Sequence, residues 1–196
     1  MKLSKDYRYT ILCEDVQTRN FLQSFLFDQG ISVGKISCNM APAGDGCGSQ
    51  YVRKNYSSEV KTLLCKNFQR LVLIVSMDAD NYTLEDRKQE LQKQLLSDFS
   101  NDKRYTNLDI TKECIILWFP KKQIENWIHF LRGEDTNEDV DYPHGGNKRK
   151  AERCSNEAKQ LSKYFQDLEF YEKGVLPSIE LAKTEYRRVC QLQIMK

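Results

Sequence analysis

Two aspartates one residue apart, Asp78 and Asp80, are the residues of this chain best suited to chemistry. They follow an apolar run over 71–75 that is typical of a β-strand. Because residues i and i+2 of an extended segment point the same way, the two carboxylates can direct four oxygens into one small volume. Like charges at that distance repel each other, and a bound cation usually compensates this repulsion. The pair therefore predicts a metal site. Mg²⁺ is the predicted cofactor and Mn²⁺ the alternative, because hard oxygen ligands suit these ions better than zinc.

A structural role is the alternative for the same pair. In a strand-to-helix turn, one aspartate commonly caps the helix that follows. One aspartate would serve that purpose, and Thr83 is also available as a cap, with Glu85 and Asp86 placed favourably in the first turn. The second aspartate therefore favours a metal site over a cap.

The elements that must position these residues can be predicted from apolar patterns. The run before Asp78 is short and largely β-branched, which indicates a strand buried on both faces of a parallel sheet. Further strands are predicted over 7–13, 31–38 and 113–119, and Pro120 ends the last of them. Apolar residues at helical spacing predict helices between the strands. This alternation predicts an α/β fold of Rossmann-like type, with a mostly parallel central sheet flanked by helices and a C-terminal helical extension.

Acidic residues follow three of the predicted strands. Glu14 comes directly after the first strand, and Glu125 lies at the start of the helix after the fourth. Because parallel strands end at the same edge of a sheet, where open α/β sheets bind ligands, these acids are expected to meet Asp78 and Asp80 there. We therefore predict Glu14, Asp78 and Asp80 as catalytic residues and metal ligands, with Glu125 as a further ligand. For both glutamates, an ordinary place in the first turn of a helix is the alternative.

Basic residues near the predicted site are candidates for binding phosphate or nucleic acid, because they can neutralise or clamp a phosphodiester. A solvated helix face would carry the same residue types, so the prediction is made for the group: Arg53, Lys54, Arg87, Lys121 and Lys122. His144 would act as a general base if its loop folded over the site.

Length and composition exclude several other classes. The 196 residues fit one domain with a small helical appendage. Seven cysteines without a CxxC pair, together with two histidines, exclude a zinc site of the usual spacing. The sequence has no secretory segment and no apolar stretch long enough for a bilayer, so we expect a cytoplasmic protein with no membrane partner. The predicted organisation is a core over 1–132, a mobile loop over 133–150 and C-terminal helices over 151–196 that pack on the core.

Glu14 after the first strand and the Asp78-Ala79-Asp80 motif after a later buried strand resemble the Toprim domain of topoisomerases, primases, OLD-family nucleases and ribonuclease M5-like enzymes. The resemblance extends over residues 7–119. It implies a compact Rossmann-like Toprim fold in which the acids bind magnesium and Glu14 assists proton transfer. Many family members have glycine where Asp15 stands, and many have glycine shortly after the motif, where this chain has Asn81-Tyr82.

The segment Ile124-Glu125-Asn126-Trp127 is similar to an element of small stand-alone Toprim-like proteins from bacterial defence islands, often found beside an ATPase partner. These resemblances imply an Mg²⁺-dependent nuclease that cleaves DNA or RNA in anti-phage defence, acting with a partner ATPase and as a homo-oligomer in some versions. The alternative is a non-catalytic Toprim-like subunit or sensor that docks on the ATPase. A third hypothesis, a nucleotide-binding domain, would rest on the Gly44–Gly48 loop, which lacks the GK[ST] ending of a P-loop.

Overall fold

The computed structural model describes residues 1–42, 47–66, 69–102, 105, 108–142, 154–168, 171 and 174–195. Within these ranges strands and helices alternate before two helices close the chain. The elements are β1 (Arg8–Cys13), α1 (Val16–Asp28), β2 (Ile36–Met40), α2 (Gly48–Cys65), β3 (Leu71–Ser76), α3 (Leu84–Asp98), β4 (Ile115–Trp118), α4 (Ile124–Leu131), α5 (Ser155–Phe165) and α6 (Pro177–Met195). None of the described helices combines the length and apolar character needed to cross a membrane.

The sheet has the order β2-β1-β3-β4, and every neighbouring pair of strands is parallel. This arrangement confirms the predicted α/β class with a parallel sheet flanked by helices. From β1 the chain first moves outward to β2 and then crosses back to the other side of β1, where β3 and β4 follow. The order therefore reverses between β1 and β3, and open sheets of this type bind ligands outside the carboxyl ends of such strands.

Helices cover both faces of the sheet and bury two separate apolar clusters. Val72 and Ile74 of β3 face the cluster shared with α1, α4, α5 and α6, whereas Leu73 and Val75 face α2 and α3. Successive side chains of a strand point to opposite faces, so a strand covered on both sides must be apolar throughout. This explains why the run before Asp78 is continuously apolar.

Several strand boundaries differ from the prediction. β2 begins at Ile36, later than the predicted start at residue 31, because the residues before it form a 3-10 turn, Val33–Lys35, in which the Lys35 N–H donates to the Ser32 carbonyl at 3.0 Å. β4 covers Ile115–Trp118, the centre of the predicted 113–119 strand. The predicted cap of α3 is confirmed, because Thr83 and Asp86 form a reciprocal capping box.

The two C-terminal helices pack on the α1 face of the sheet. The Trp118 indole of β4 donates to the Ala182 carbonyl of α6 at 3.1 Å. Gln29, which follows α1, accepts from the Tyr186 hydroxyl at 2.9 Å and donates to Ser162 of α5 at 2.6 Å. These buried polar contacts fix α5 and α6 relative to α1 and the sheet.

Candidate active site at the carboxyl edge of the sheet

Glu14 and Asp78 are in contact at the point where the strand order reverses. Glu14 directly follows β1, and Asp78 lies just beyond the end of β3, where Cys13 and Ser76 are paired in register. The Glu14 Oε1 atom accepts a hydrogen bond from the Asp78 N–H at 2.9 Å. The structure thus brings together two of the predicted acids that are far apart in sequence.

Burial and nearby negative charges raise the pKa values of both carboxyl groups. The pKa of Glu14 is raised to about 7, mainly by burial and also by the charges of Asp80 and Asp15, although the hydrogen bond from Asp78 lowers it. Burial also raises the pKa of Asp78 well above its usual range, and the Glu14 charge is the next largest cause. A bound cation would have the opposite effect and favour both charged forms.

The start of α2 lies directly against Glu14. A Cβ atom added to Gly48 would lie 2.7 Å from the Glu14 Cβ and 3.0 Å from the Glu14 carbonyl oxygen. Only glycine permits this close approach. Beside it is a cavity of about 310 Å³, lined by Glu14, Asp15, Val16, Met40, Ala41, Pro42 and Gly48. Gly44 and Gly46 of the predicted nucleotide-binding loop lie outside the described residues, as does His144.

Asp80 does not extend the line of β3. The strand ends at Ser76, and Asp80 has a φ of +54°, in the left-handed region. Its Oδ2 atom accepts from the Arg87 guanidinium at 3.1 Å, and its side chain is half exposed. The expectation that Asp78 and Asp80 share one volume required an extended segment, and the backbone leaves the extended conformation at Asp80. The charge of Asp80 still contributes to the raised pKa values of Glu14 and Asp78.

Arg87 is the cation closest to this turn, and it is almost completely buried, with 2% of its side chain exposed. One terminal nitrogen binds Asp80, the other binds Glu90 at 2.7 Å, and the guanidinium lies 4.3 Å from the centre of the Tyr82 ring. Within the part of the chain that the structure describes, its Nε atom has no hydrogen-bond partner.

Glu90 connects α3 to the start of α2, a role that the sequence did not predict. Besides Arg87, it accepts from Arg53 at 3.3 Å, and Arg53 also donates to Ser49 at 3.3 Å. The spacing of Arg87 and Glu90 by three residues on one helix was the available signal. The pairing with Arg53 depends on how α2 and α3 pack, which local sequence does not specify.

Glu125 lies in the first turn of α4, at the predicted start of that helix, and its side chain is buried. The segment that follows α4 folds back against this turn at Asn126. The Asn126 side-chain amide donates to the carbonyls of Asn137, Glu138 and Val140 at 3.1–3.3 Å. After burial and the nearer acids, the charge of Glu125 also raises the pKa of Asp78, so its field reaches the site.

The predicted basic residues are divided between two locations. Arg53 and Arg87 are bound to Glu90, whereas Lys54 is exposed on α2. Lys121 donates to the Tyr82 carbonyl at 2.7 Å, and Lys122 donates to the Asn81 side chain at 3.0 Å. Both lysines therefore brace the turn between β3 and α3, close to Asp80.

The donor chemistry of the edge suits a magnesium ion, although the carboxylates do not converge on one point. Among the residues that the structure describes, no three His, Cys, Asp or Glu side chains form a group able to hold a metal ion. The contact between Glu14 and Asp78 nevertheless offers hard oxygen donors in a region of unbalanced negative charge.

A scan of family models and searches of curated proteins and solved structures found no match. The chain's own geometry therefore carries the functional argument.

Proposed function

We propose that this protein is a metal-dependent phosphodiesterase of the nuclease type, acting on DNA or RNA with Mg²⁺ or Mn²⁺. The observation that carries the proposal is the contact between buried Glu14 and Asp78 at the reversal point of a parallel sheet. Acids with strongly perturbed pKa values at such an edge are typical of catalytic sites. The resemblance to Toprim domains agrees with this reaction and extends it to bacterial anti-phage defence beside a partner ATPase.

The predicted acids would have different roles in such a site. Glu14 and Asp78, which are in contact, would hold the cation, while the charges of Asp80 and Glu125 add to the negative potential at Asp78. The cation when bound would lower the pKa of an attacking water and neutralise the scissile phosphate. A pKa of about 7 suits Glu14 to accepting or donating a proton near neutral pH. Arg53, whose side chain is partly exposed, would balance charge on the phosphodiester, whereas Arg87 is buried and paired with Asp80 and Glu90.

Cleavage assays on labelled single-stranded and duplex DNA and RNA test the proposal. Asp78→Asn keeps the size of the side chain and removes its charge, so it is expected to abolish cleavage in Mg²⁺ or Mn²⁺ without lowering the melting temperature. Asp6→Asn is the matched control, because Asp6 is exposed at the opposite edge of the sheet, where it precedes β1. Equal, metal-dependent cleavage by wild type and Asp78→Asn would refute the proposal.

One observation favours the second candidate, a non-catalytic subunit or sensor that docks on an ATPase. The Arg87 guanidinium already supplies Asp80 with a positive charge, as a structural carboxylate cluster would require. This candidate predicts wild-type protein that cleaves no substrate with any divalent metal and co-purifies with an ATPase. The first candidate predicts metal-dependent cleavage by the isolated chain or by that complex, with Asp78 required in either case.

A further inference from the structure

Tyr82 is a large aromatic residue held at the surface beside the candidate site. It lies in the turn between β3 and α3, two residues after Asp80, and 54% of its surface is exposed. One side of the ring is covered by the Arg87 guanidinium, whose central carbon lies 4.3 Å from the ring centre.

The turn that carries Tyr82 is fixed on several sides. The Tyr82 N–H donates to the Ala79 carbonyl at 3.0 Å, and the Ala79 N–H donates to the Pro120 carbonyl at 2.8 Å. Lys121 holds the Tyr82 carbonyl, and Lys122 holds the neighbouring Asn81. The ring is therefore positioned before any ligand arrives, which reduces the entropy lost on binding.

The charges around the ring match a nucleic-acid strand. Arg87 lies against the ring, and Lys121 and Lys122 bind the backbone carbonyl of Tyr82 and the side chain of the neighbouring Asn81, in the same turn as Asp80. Proteins that bind single strands combine cationic groups that follow the phosphates with aromatic rings on which bases stack. In a duplex the bases are already stacked on one another, so such a ring needs an unpaired base.

We propose that Tyr82 is a stacking platform for an unpaired base, which makes single-stranded nucleic acid the substrate class of this site. This inference rests on the proposed nuclease function, and it names the form of substrate that the edge would accept. The base stacks on the exposed part of the Tyr82 ring, and Lys121 and Lys122 bind the adjoining phosphates.

Fluorescence anisotropy in EDTA tests the platform without any cleavage. The probes are labelled oligo(dT), a duplex of equal length, and a strand of equal length in which abasic sites replace the bases. The variants are Tyr82→Leu, which removes the ring, and Tyr82→Phe, which keeps it. Phe27→Leu is the matched control, because Phe27 is similarly exposed near the end of α1, away from the carboxyl edge.

Wild type is expected to bind oligo(dT) more tightly than the duplex and the abasic strand. Tyr82→Leu is expected to weaken oligo(dT) binding by roughly five- to a hundredfold, the range for loss of one stacked base, and to leave abasic-strand binding unchanged. Tyr82→Phe and Phe27→Leu are expected to bind oligo(dT) as wild type does. An equal loss on the abasic strand, no loss on oligo(dT), preference for the duplex, or no binding to oligo(dT) would each overturn the platform.

The two proposals fail separately in this design. If Tyr82→Leu does not change binding while Asp78→Asn abolishes cleavage, the nuclease function is supported and the stacking platform is refuted. If Tyr82→Leu selectively weakens oligo(dT) binding while Asp78→Asn does not reduce cleavage, the platform is supported as a binding site and the nuclease proposal is refuted.

Discussion

Adjacent acidic residues in this protein have different tasks because their side chains leave the backbone in different directions. Asp15 is the N-cap of α1 and accepts from the Thr18 N–H at 2.7 Å, the ordinary role of an acid at a helix start. Glu14, one residue earlier, reaches across to Asp78 on the neighbouring strand. The helix-start alternative considered for Glu14 therefore applies to Asp15, and Glu14 remains available for chemistry.

The raised pKa of Glu14 predicts a specific dependence of stability on pH. The folded state holds a proton on Glu14 up to a pKa of about 7, whereas the ordinary value is 4.5. Between these values the folded state binds more protons than the unfolded chain, so this group makes stability fall as pH rises through that window. Glu14→Gln keeps a carbonyl acceptor for the Asp78 N–H and removes the titration.

Melting temperatures measured from pH 4.5 to 8 test this dependence. We expect a smaller decline with pH in Glu14→Gln than in wild type, and a higher melting temperature of the variant above pH 7. Asp6→Asn should follow the wild-type curve, because Asp6 is exposed. Parallel curves for wild type and Glu14→Gln would contradict the raised pKa.

Glu90 is predicted to matter for stability because it neutralises a buried cation. Only 2% of the Arg87 side chain is exposed. In Glu90→Gln, this buried cation keeps Asp80 as its only carboxylate partner among the described residues. Loss of a charge-assisted hydrogen bond typically costs about 1.5–3 kcal/mol in the free energy of unfolding. Urea denaturation measures this change. Glu85→Gln is the control, and a change there above about 0.5 kcal/mol, or none in Glu90→Gln, would contradict the account.

At the scale of elements, the sequence predicted what local patterns determine. The continuous apolar run gave a doubly covered β3, and the Thr83 and Asp86 pair gave the start of α3. The direction of Asp80 was not predictable in this way, because it depends on a left-handed residue after the strand and on Arg87. The contact of residues 137–140 with Asn126, next to Glu125, was also not predictable, because that segment has no periodic pattern of its own.

The contact between α2 and Glu14 makes Gly48 a sensitive position at this scale. Gly48→Ala would place a Cβ atom 2.7 Å from the Glu14 side chain, so the helix start or Glu14 must move. Overpacking of this kind typically costs about 1–3 kcal/mol in the free energy of unfolding, and it should also reduce any metal-dependent activity. Gly34→Ala is the control, since nothing lies within 4 Å of its added Cβ. Equal stability of Gly48→Ala and wild type in urea would contradict this packing.

At the scale of the whole molecule, strand order determines which distant residues meet. The chain reverses its direction across the sheet between β1 and β3, and this alone brings Glu14 and Asp78 together. Alternating strands and helices were enough to predict a parallel sheet, and acids at strand ends were enough to predict that Glu14 and Asp78 would meet at one edge. The α5 and α6 contacts with α1 were not predictable residue by residue, because they rely on single buried polar groups such as Gln29.

Titration with Mn²⁺ followed by calorimetry tests the central claim most directly, because it measures the cation that the acids at this edge are proposed to hold. At pH 7 we expect wild type to bind Mn²⁺ and to release protons, since binding must displace the protons held by Glu14 and Asp78. Asp6→Asn should behave as wild type, and Asp78→Asn should lose binding. Absence of binding to wild type, or equal binding and proton release by Asp78→Asn, would contradict the account.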